Sequence, residues 1–273
     1  MNSIKNIIRK LYRFFLLLFH VNWIKTFYVN LRLLPLYEAI HLPILVYYGY
    51  KFDSLKGSMI IKCKPCFGLL KIGCDFDKTV FSNIKGRITL DGCVYVYGYV
   101  LISKGITMEV VGQLHLHRNV MIGSGCFIKS LVQIEIGNNT RLTYNCTLFD
   151  CNMHYIKNIE TGEIKNNRAP IRIGNNCWIN SGSVIMKGGI VPNYTITAKN
   201  TFIGKDYSEF GTNLFLVGSP AKPTKSKVQR ILSVSVQSRL NTIFKNGHDS
   251  ITLESGVFTE DDDEIENDIK QIL

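Results

Sequence analysis

A histidine four residues after an aspartate, in Phe149-Asp150-Cys151-Asn152-Met153-His154, is the arrangement in this sequence best suited to moving a proton. Imidazole changes charge near pH ~6.5, so it can take a proton from a hydroxyl close to neutrality. Asp150 is the candidate to hold the ring in its useful tautomer. Asn152 and Tyr155 flank His154 as candidate substrate contacts. Other chemistry is thinner. Cys63 and Cys66 form a lone C-x-x-C, whereas a structural zinc site needs about four ligands, and no second pair lies at suitable spacing. His115 and His117 alternate along a strand and point the same way. No metal is expected. Cys126, Cys146 and Cys177 read as core residues, and Cys151 is a weaker nucleophile candidate than a hydroxyl activated by His154. No phosphate-binding loop, dinucleotide fingerprint or nucleic-acid motif is present, so no nucleic-acid partner is expected.

These residues need a scaffold, and a repeat supplies it. Stepping by six from Ile173 gives Ile179, Ile185, Val191, Thr197 and Ile203, with small residues at Cys177, Ser183, Gly189, Thr195 and Thr201. The same step upstream gives Ile136, Leu142 and Leu148, and earlier Leu90, Val96, Ile102, Met108, Leu114 and Val120. A period of six is neither the helical 3.6 nor the plain alternation of a strand. It fits a coil with three flat sides of about 18 residues per turn, stacked at about 4.8 Å. The step after Leu148 lands on His154, a polar residue where an aliphatic one is due. The repeat then pauses until Ile173, and the stretch after His154 reads as a loop, a common home for catalytic groups on a rigid scaffold.

Three parts follow: 1–56, a basic, amphipathic helical segment; 57–223, the coil; and 224–273, a helical segment (Val228, Ile231, Leu232, Val236, Leu240, Ile243) with an acidic tail. The formal net charge is +11, and residues 1–50 carry six Lys or Arg against the single acid Glu38. A basic body suits anionic partners. The N-terminal segment is open to two placements: on an anionic membrane surface, or packed on the coil with a solvated basic face. The apolar run around Phe14–Phe19 is shorter than the roughly 20 residues that span a bilayer. The expected location is cytoplasmic, with reduced thiols and peripheral contact at the inner membrane face through residues 1–50.

The segment 171–190, IRIGNNCWINSGSVIMKGGI, followed by 191–205 and by Gly218-Ser219-Pro220-Ala221-Lys222, resembles the hexapeptide-repeat acyltransferases. It is most similar to their maltose/galactoside O-acetyltransferase-like branch, and to members that modify capsular and lipopolysaccharide sugars. The resemblance covers roughly 60–223. It implies an all-β, left-handed parallel β-helix with helical N-terminal and C-terminal extensions. It also implies a homotrimer with sites between subunits, and acetyl-CoA as co-substrate. The implied reaction is O-acetylation of a sugar hydroxyl on a cell-surface polysaccharide or its lipid-linked precursor. The family's catalytic histidine matches His154, which would take the hydroxyl proton while a backbone N–H on the adjacent coil steadies the oxyanion. Family members often carry a second acid where this chain has Asn152. By the same match, Ser181 and Gly182 line the pantetheine path, Lys199 and Gly204 lie along the end coils, and Lys205 and Lys222 approach the phosphates. Trp178 matches a recurrent family tryptophan and reads as packing. The alternatives are an N-acetyltransferase on an amino sugar, a metal-dependent enzyme like the γ-type carbonic anhydrases, and a non-catalytic β-helix scaffold.

Overall fold

The structure is a computed structural model and describes residues 17–74, 84–245 and 249–252. The N-terminal amphipathic pattern over 4–18 and the acidic tail lie largely outside these residues. Three sheets run the length of a coil, and successive strands of the chain go to successive sheets. The first face starts at Ile44–Val46 and continues through Leu70–Ile72, Val100–Ile102, Val120–Ile122, Arg141–Leu142, Trp178–Ile179, Ile196–Thr197 and Phe215–Val217. The second face runs from Tyr50–Ser54 to Phe202–Ile203, and the third from Ser58–Ile61 to Ile190–Val191. The strands pair in parallel throughout, apart from the closing pair Phe215–Val217 with Lys222–Pro223. Side chains alternate across each strand, so the inward residues stack in rows, and Ile102, Ile122, Leu142 and Ile179 form one buried row.

The coil length is not uniform. Beyond Ile171 a turn takes 18 residues, with Ile173 beside Val191 and Ile185 beside Ile203. Upstream it takes 20, with Ile102 beside Ile122, Leu114 beside Ile134 and Leu90 beside Val110. The extra residues are the corner pairs Asp91-Gly92, Val111-Gly112 and Leu131-Val132, between the second and third faces. Both amides of Asp91-Gly92 donate to the Val110 carbonyl, and both of Val111-Gly112 to that of Ser130. A step of six therefore finds inward residues along one turn but slips against the turn above.

The other corners explain the small and amide residues. Cys126, Cys146, Ser183 and Thr201 form one buried corner column, where the thiol or hydroxyl bonds turn carbonyls. Asn119, Asn139 and Asn176 occupy left-handed positions at φ 63, 56 and 57. Asn tolerates that conformation better than most residues, and these three link side chain to side chain at 3.0 and 2.9 Å.

The extensions differ in extent from the sequence reading. Strands Ile44–Val46 and Tyr50–Ser54 already belong to the stack, so the coil begins before residue 57. Ile44–Val46 is a three-residue apolar run, too short to show a period. Its outer edge is covered by the helix Trp23–Leu33, capped by Asn22. At the other end the only described helix is Val234–Lys245. Before it, the chain runs back along the outside of the first face: Arg230 lies over the Trp178 ring at 5.4 Å, and Leu232 is buried with Val21, Leu45, Leu101 and Met121. An extended strap and a helix can share one apolar pattern when the strap meets a row of outward aliphatic residues, which is why Val228–Leu232 reads as helix.

Candidate active site

The coil breaks where the second face hands over to the third. Phe149 still pairs with Lys129 and Met186. One turn of 20 residues on from Ile134 would put His154 in the third face, but Ile171 takes that place, paired with Ile134 and fully buried. His154 therefore does not fill an inward slot, as stepping by six suggests. An aliphatic residue keeps the row dry, since a buried imidazole without a partner is costly, and the chain swings out as an arm over 151–170. Residues 155–169, read as a loop, are the greater part of this arm.

The arm is a short two-stranded excursion. Bridges join Cys151 to Arg168 and Lys157 to Ile164. Asn152 N–H donates to the Asn167 carbonyl at 2.7 Å, and Asn167 Nδ2 donates back to the Asn152 carbonyl at 3.0 Å. Lys187, on the next coil, ties the arm down by donating to the Asn166 carbonyl at 3.0 Å. Between arm and coil lies a cleft of about 400 Å³ lined by Asn152, His154, Ile156, Asn158, Glu163, Lys165, Asn166, Asn167 and Lys187. His154 is exposed in it, and among the described residues its ring has no hydrogen-bond partner. Amides and ammonium groups dominate this lining, a composition that matches a hydroxyl-rich ligand. Tyr155 is exposed on the arm beside His154 and is not among the lining residues.

Asp150 stands at the arm's root and is fully buried. Its carboxylate accepts from the Leu131 and Val132 amides at 2.8 and 2.7 Å and from the Ser130 hydroxyl at 3.2 Å. No bond joins it to His154 among the described residues. Cys151 is buried beside it, and burial, then the Asp150 charge, push its thiol above the ordinary range. Burial holds the Cys177 thiol up to about 12, in keeping with Cys126, Cys146 and Cys177 as interior residues.

The residues matched to the cofactor fall on two corners. Ser181, Gly182 and Lys199 share the corner between the first and second faces, where Asn200 N–H donates to the Ser181 carbonyl at 3.0 Å. Lys222 follows in the strand paired to Val217, on the same side of the coil. Lys199 and Lys222 are exposed, and among the described residues neither ammonium has a polar partner. Gly204 follows the last strand of the second face, Phe202–Ile203. Lys205 lies in the next corner, below Lys187; it sits 3.8 Å from Glu209 and over the rings of Tyr207 and Phe210. One copy of the chain thus places His154, Lys187 and Lys205 on one corner, and Ser181, Gly182, Lys199 and Lys222 on another. Asn166 and Asn167 read from the sequence only as loop residues, and Lys187 carries no site assignment there; the signal for Lys187 is its 18-residue register to Lys205.

His115 and His117 face outward and stack on Tyr95 and Tyr97 with centroids 4.3 and 4.4 Å apart. His117 also meets Glu135 at 2.9 Å. Among the described residues no group of three His, Cys, Asp or Glu is gathered as a metal-ligand set. Cys66 contacts the Tyr99 hydroxyl at 3.1 Å and is unbridged, as is Cys63.

No family model matches the chain. It is 26% identical over 152 residues, 55% of this chain and 71% of the other, to a Dictyostelium discoideum protein that carries an acetyltransferase name. Among solved structures, the polysialic-acid-specific acetyltransferase NeuO is similar at a TM-score of 0.50 and 16% identity, over 77% of this chain and 90% of its own. The polysialic acid O-acetyltransferase OatWY is similar at a TM-score of 0.39 and 19% identity, over 72% and 98%. The fold is the left-handed parallel β-helix. The chain thus shares its fold with NeuO, and part of its length is similar in sequence to a protein named an acetyltransferase.

Proposed function

We propose that this chain is an acetyl-CoA-dependent O-acetyltransferase that modifies a sugar hydroxyl of a cell-surface polysaccharide or its lipid-linked precursor. The observation that carries this reading is His154, unpartnered in an amide-lined cleft at the root of an arm on a rigid coil. Acetyl-CoA supplies a thioester carbonyl open to attack by an oxygen. His154 takes the proton from the acceptor hydroxyl and holds it for the leaving sulfur. Asn152 hydrogen-bonds the sugar from the arm's first strand, and Tyr155 closes over it. Asp150 acts through the coil rather than on the ring: it fixes the point where the arm leaves.

The free ammonium groups of Lys199 and Lys222 fit a polyphosphate. Lysine meets phosphate as a point charge, and Lys205 adds a third. Ser181 and Gly182 line the path of the pantetheine arm. Ser181, Gly182, Lys199 and Lys222 lie on a different corner of the coil from His154 and Lys205, so a single site forms where the arm corner of one copy meets the other corner of the next. A closed ring of three such contacts gives a homotrimer. The basic, aromatic residues 1–50 support a cytoplasmic enzyme, peripheral to the inner membrane face.

Calorimetric titration of acetyl-CoA into the protein tests the donor. Micromolar-range binding that weakens in Lys205→Ala and Lys222→Ala is expected. Absence of binding to folded trimer overturns the acetyltransferase reading.

A further inference from the structure

The inward face of the helix Trp23–Leu33 packs Val29 and Leu33 into the core and, beside them, carries two polar residues that are fully buried, Thr26 and Asn30. They complete the free edge of the first strand. Asn30 donates to the Ile44 carbonyl at 2.7 Å and accepts from the Ile44 amide at 3.1 Å, and Thr26 accepts from the Val46 amide at 3.0 Å. An uncovered strand edge is a row of unmet donors and acceptors, and this helix answers it with side chains. The opposite stripe is apolar and faces outward. Ile24, Phe27, Tyr28 and Leu31 follow helical spacing at 84, 50, 58 and 61% exposure. Leu36 and Ile40, each 68% exposed, extend the patch across the next short helix, Leu36–Ala39. A surface helix ordinarily turns its apolar stripe to the core, and a contiguous exposed patch of this kind marks a contact surface.

We infer that this patch is the membrane-docking face and that its occupant is an anionic lipid bilayer. Charge selects the occupant. Of the six Lys or Arg in residues 1–50, Arg32 is exposed on the helix itself, and the single acid of that stretch, Glu38, is buried against the fold. Two copies meeting through the patch would bring like charges together, whereas anionic headgroups attract them. Aromatic side chains suit the headgroup boundary, and the aliphatic ones enter the acyl region. The inference gives the proposed membrane contact a surface: the end cap of the coil, with its apolar side chains as the anchor. The first strand is four strand spacings, about 19 Å, from the coil that bears the arm. The reacting cleft thus stands off the bilayer, within reach of a saccharide that projects from a lipid. The inference rests on the peripheral reading for its setting and on no step of the acetyl transfer.

Flotation of the full chain with vesicles tests it. With phosphatidylglycerol-containing vesicles the protein floats, with pure phosphatidylcholine it floats far less, and salt weakens the binding. Phe27→Glu/Leu31→Glu lowers the bound fraction by ~tenfold or more, with an unchanged circular dichroism melt because both side chains are exposed. Three results would overturn the inference: no flotation of the wild-type chain with anionic vesicles, equal flotation of the double variant, or a sedimentation mass that halves in that variant, which would make the patch an interface between copies. Acetyl-CoA binding, measured on the same preparations, separates these results from a failure of the acetyltransferase reading.

Discussion

Replacing Asp150 with alanine should cost stability before it costs chemistry. At the two corners above it, a pair of amides shares one carbonyl of the next turn. At the third corner that carbonyl is diverted: Asp150 O accepts from Ala169 N–H at 3.0 Å, because the chain is leaving for the arm. The Asp150 side chain stands in, and its two oxygens take the Leu131 and Val132 amides. Alanine removes both acceptors. The Ser130 hydroxyl keeps its bond to the Gln113 carbonyl at 2.8 Å, so the loss falls on the two amides. An orphaned buried donor costs about 1–3 kcal/mol, and these sit at a partly wet corner, so about 1.5 kcal/mol each and about 3 kcal/mol together is expected. For a chain of this size that lowers Tm by about 6–12 °C. Asp150→Asn keeps one acceptor and turns an NH2 group toward an N–H, so it should lose about half as much or more. Thermal melts followed by circular dichroism, with urea midpoints at unchanged m, are the assay. A melt of Asp150→Ala within about 2 °C of wild type would refute the reasoning. If that were joined by a large loss of kcat, Asp150 would instead be an orienting group for His154.

His154→Ala should lower kcat by about 10²–10⁴ while leaving acetyl-CoA affinity in calorimetry unchanged, because Lys205 is not among the residues lining the His154 cleft and Lys199 and Lys222 lie on another corner. Gly182 sits at φ +71, and a Cβ there would meet Asn200 Oδ1 at 2.1 Å; Gly182→Ala should destabilise by about 1–2 kcal/mol in a urea titration. Leu148→Ala, fully buried in the row between Ile128 and Ile185, should cost about 2–5 kcal/mol in the same assay. Burial, opposed in part by Glu135, lowers the His115 pKa below its usual 6.5. The folded state then binds fewer protons than the unfolded one, so this contribution is complete above pH 6.5 and lost as pH falls through the lower folded value. His115→Gln should flatten the acid limb of a Tm-against-pH profile.

What could be read from the sequence was what one turn of chain determines locally. Ile173, Ile179 and Ile185 announce inward positions on three successive faces, and the pause after His154 announces the arm. Register between turns was not legible, because it depends on corner length. The pairs Val111-Gly112 and Leu131-Val132 lengthen the turn by two residues without disturbing the step of six within it. The role of Asp150 was hidden for a related reason. Its partners Leu131 and Val132 become neighbours only when the 20-residue turn closes, whereas His154 is close in sequence and drew the assignment. Thr26 and Asn30 are polar yet buried, because the strand edge beneath them needs donors and acceptors that only the folded coil presents.

The corner at Asp150 also explains how a rigid stack can carry such an arm at all. A β-helix is stable because each turn satisfies the backbone of the one before it. Any excursion removes a carbonyl from that ladder, and the arm removes it at a corner where two amides depend on it. A carboxylate has two oxygens able to accept both amides; an asparagine has one, and a serine hydroxyl is a weaker acceptor. The residue type at position 150 is thus matched to the break in the ladder, and the break leaves His154 outside the apolar interior. An aspartate at an arm's root, four residues before a histidine, need not orient that histidine to be required for its placement. The distinguishing measurement is the ratio of effects: Asp150→Asn should move Tm and kcat together as the arm loosens, whereas His154→Ala should move kcat alone.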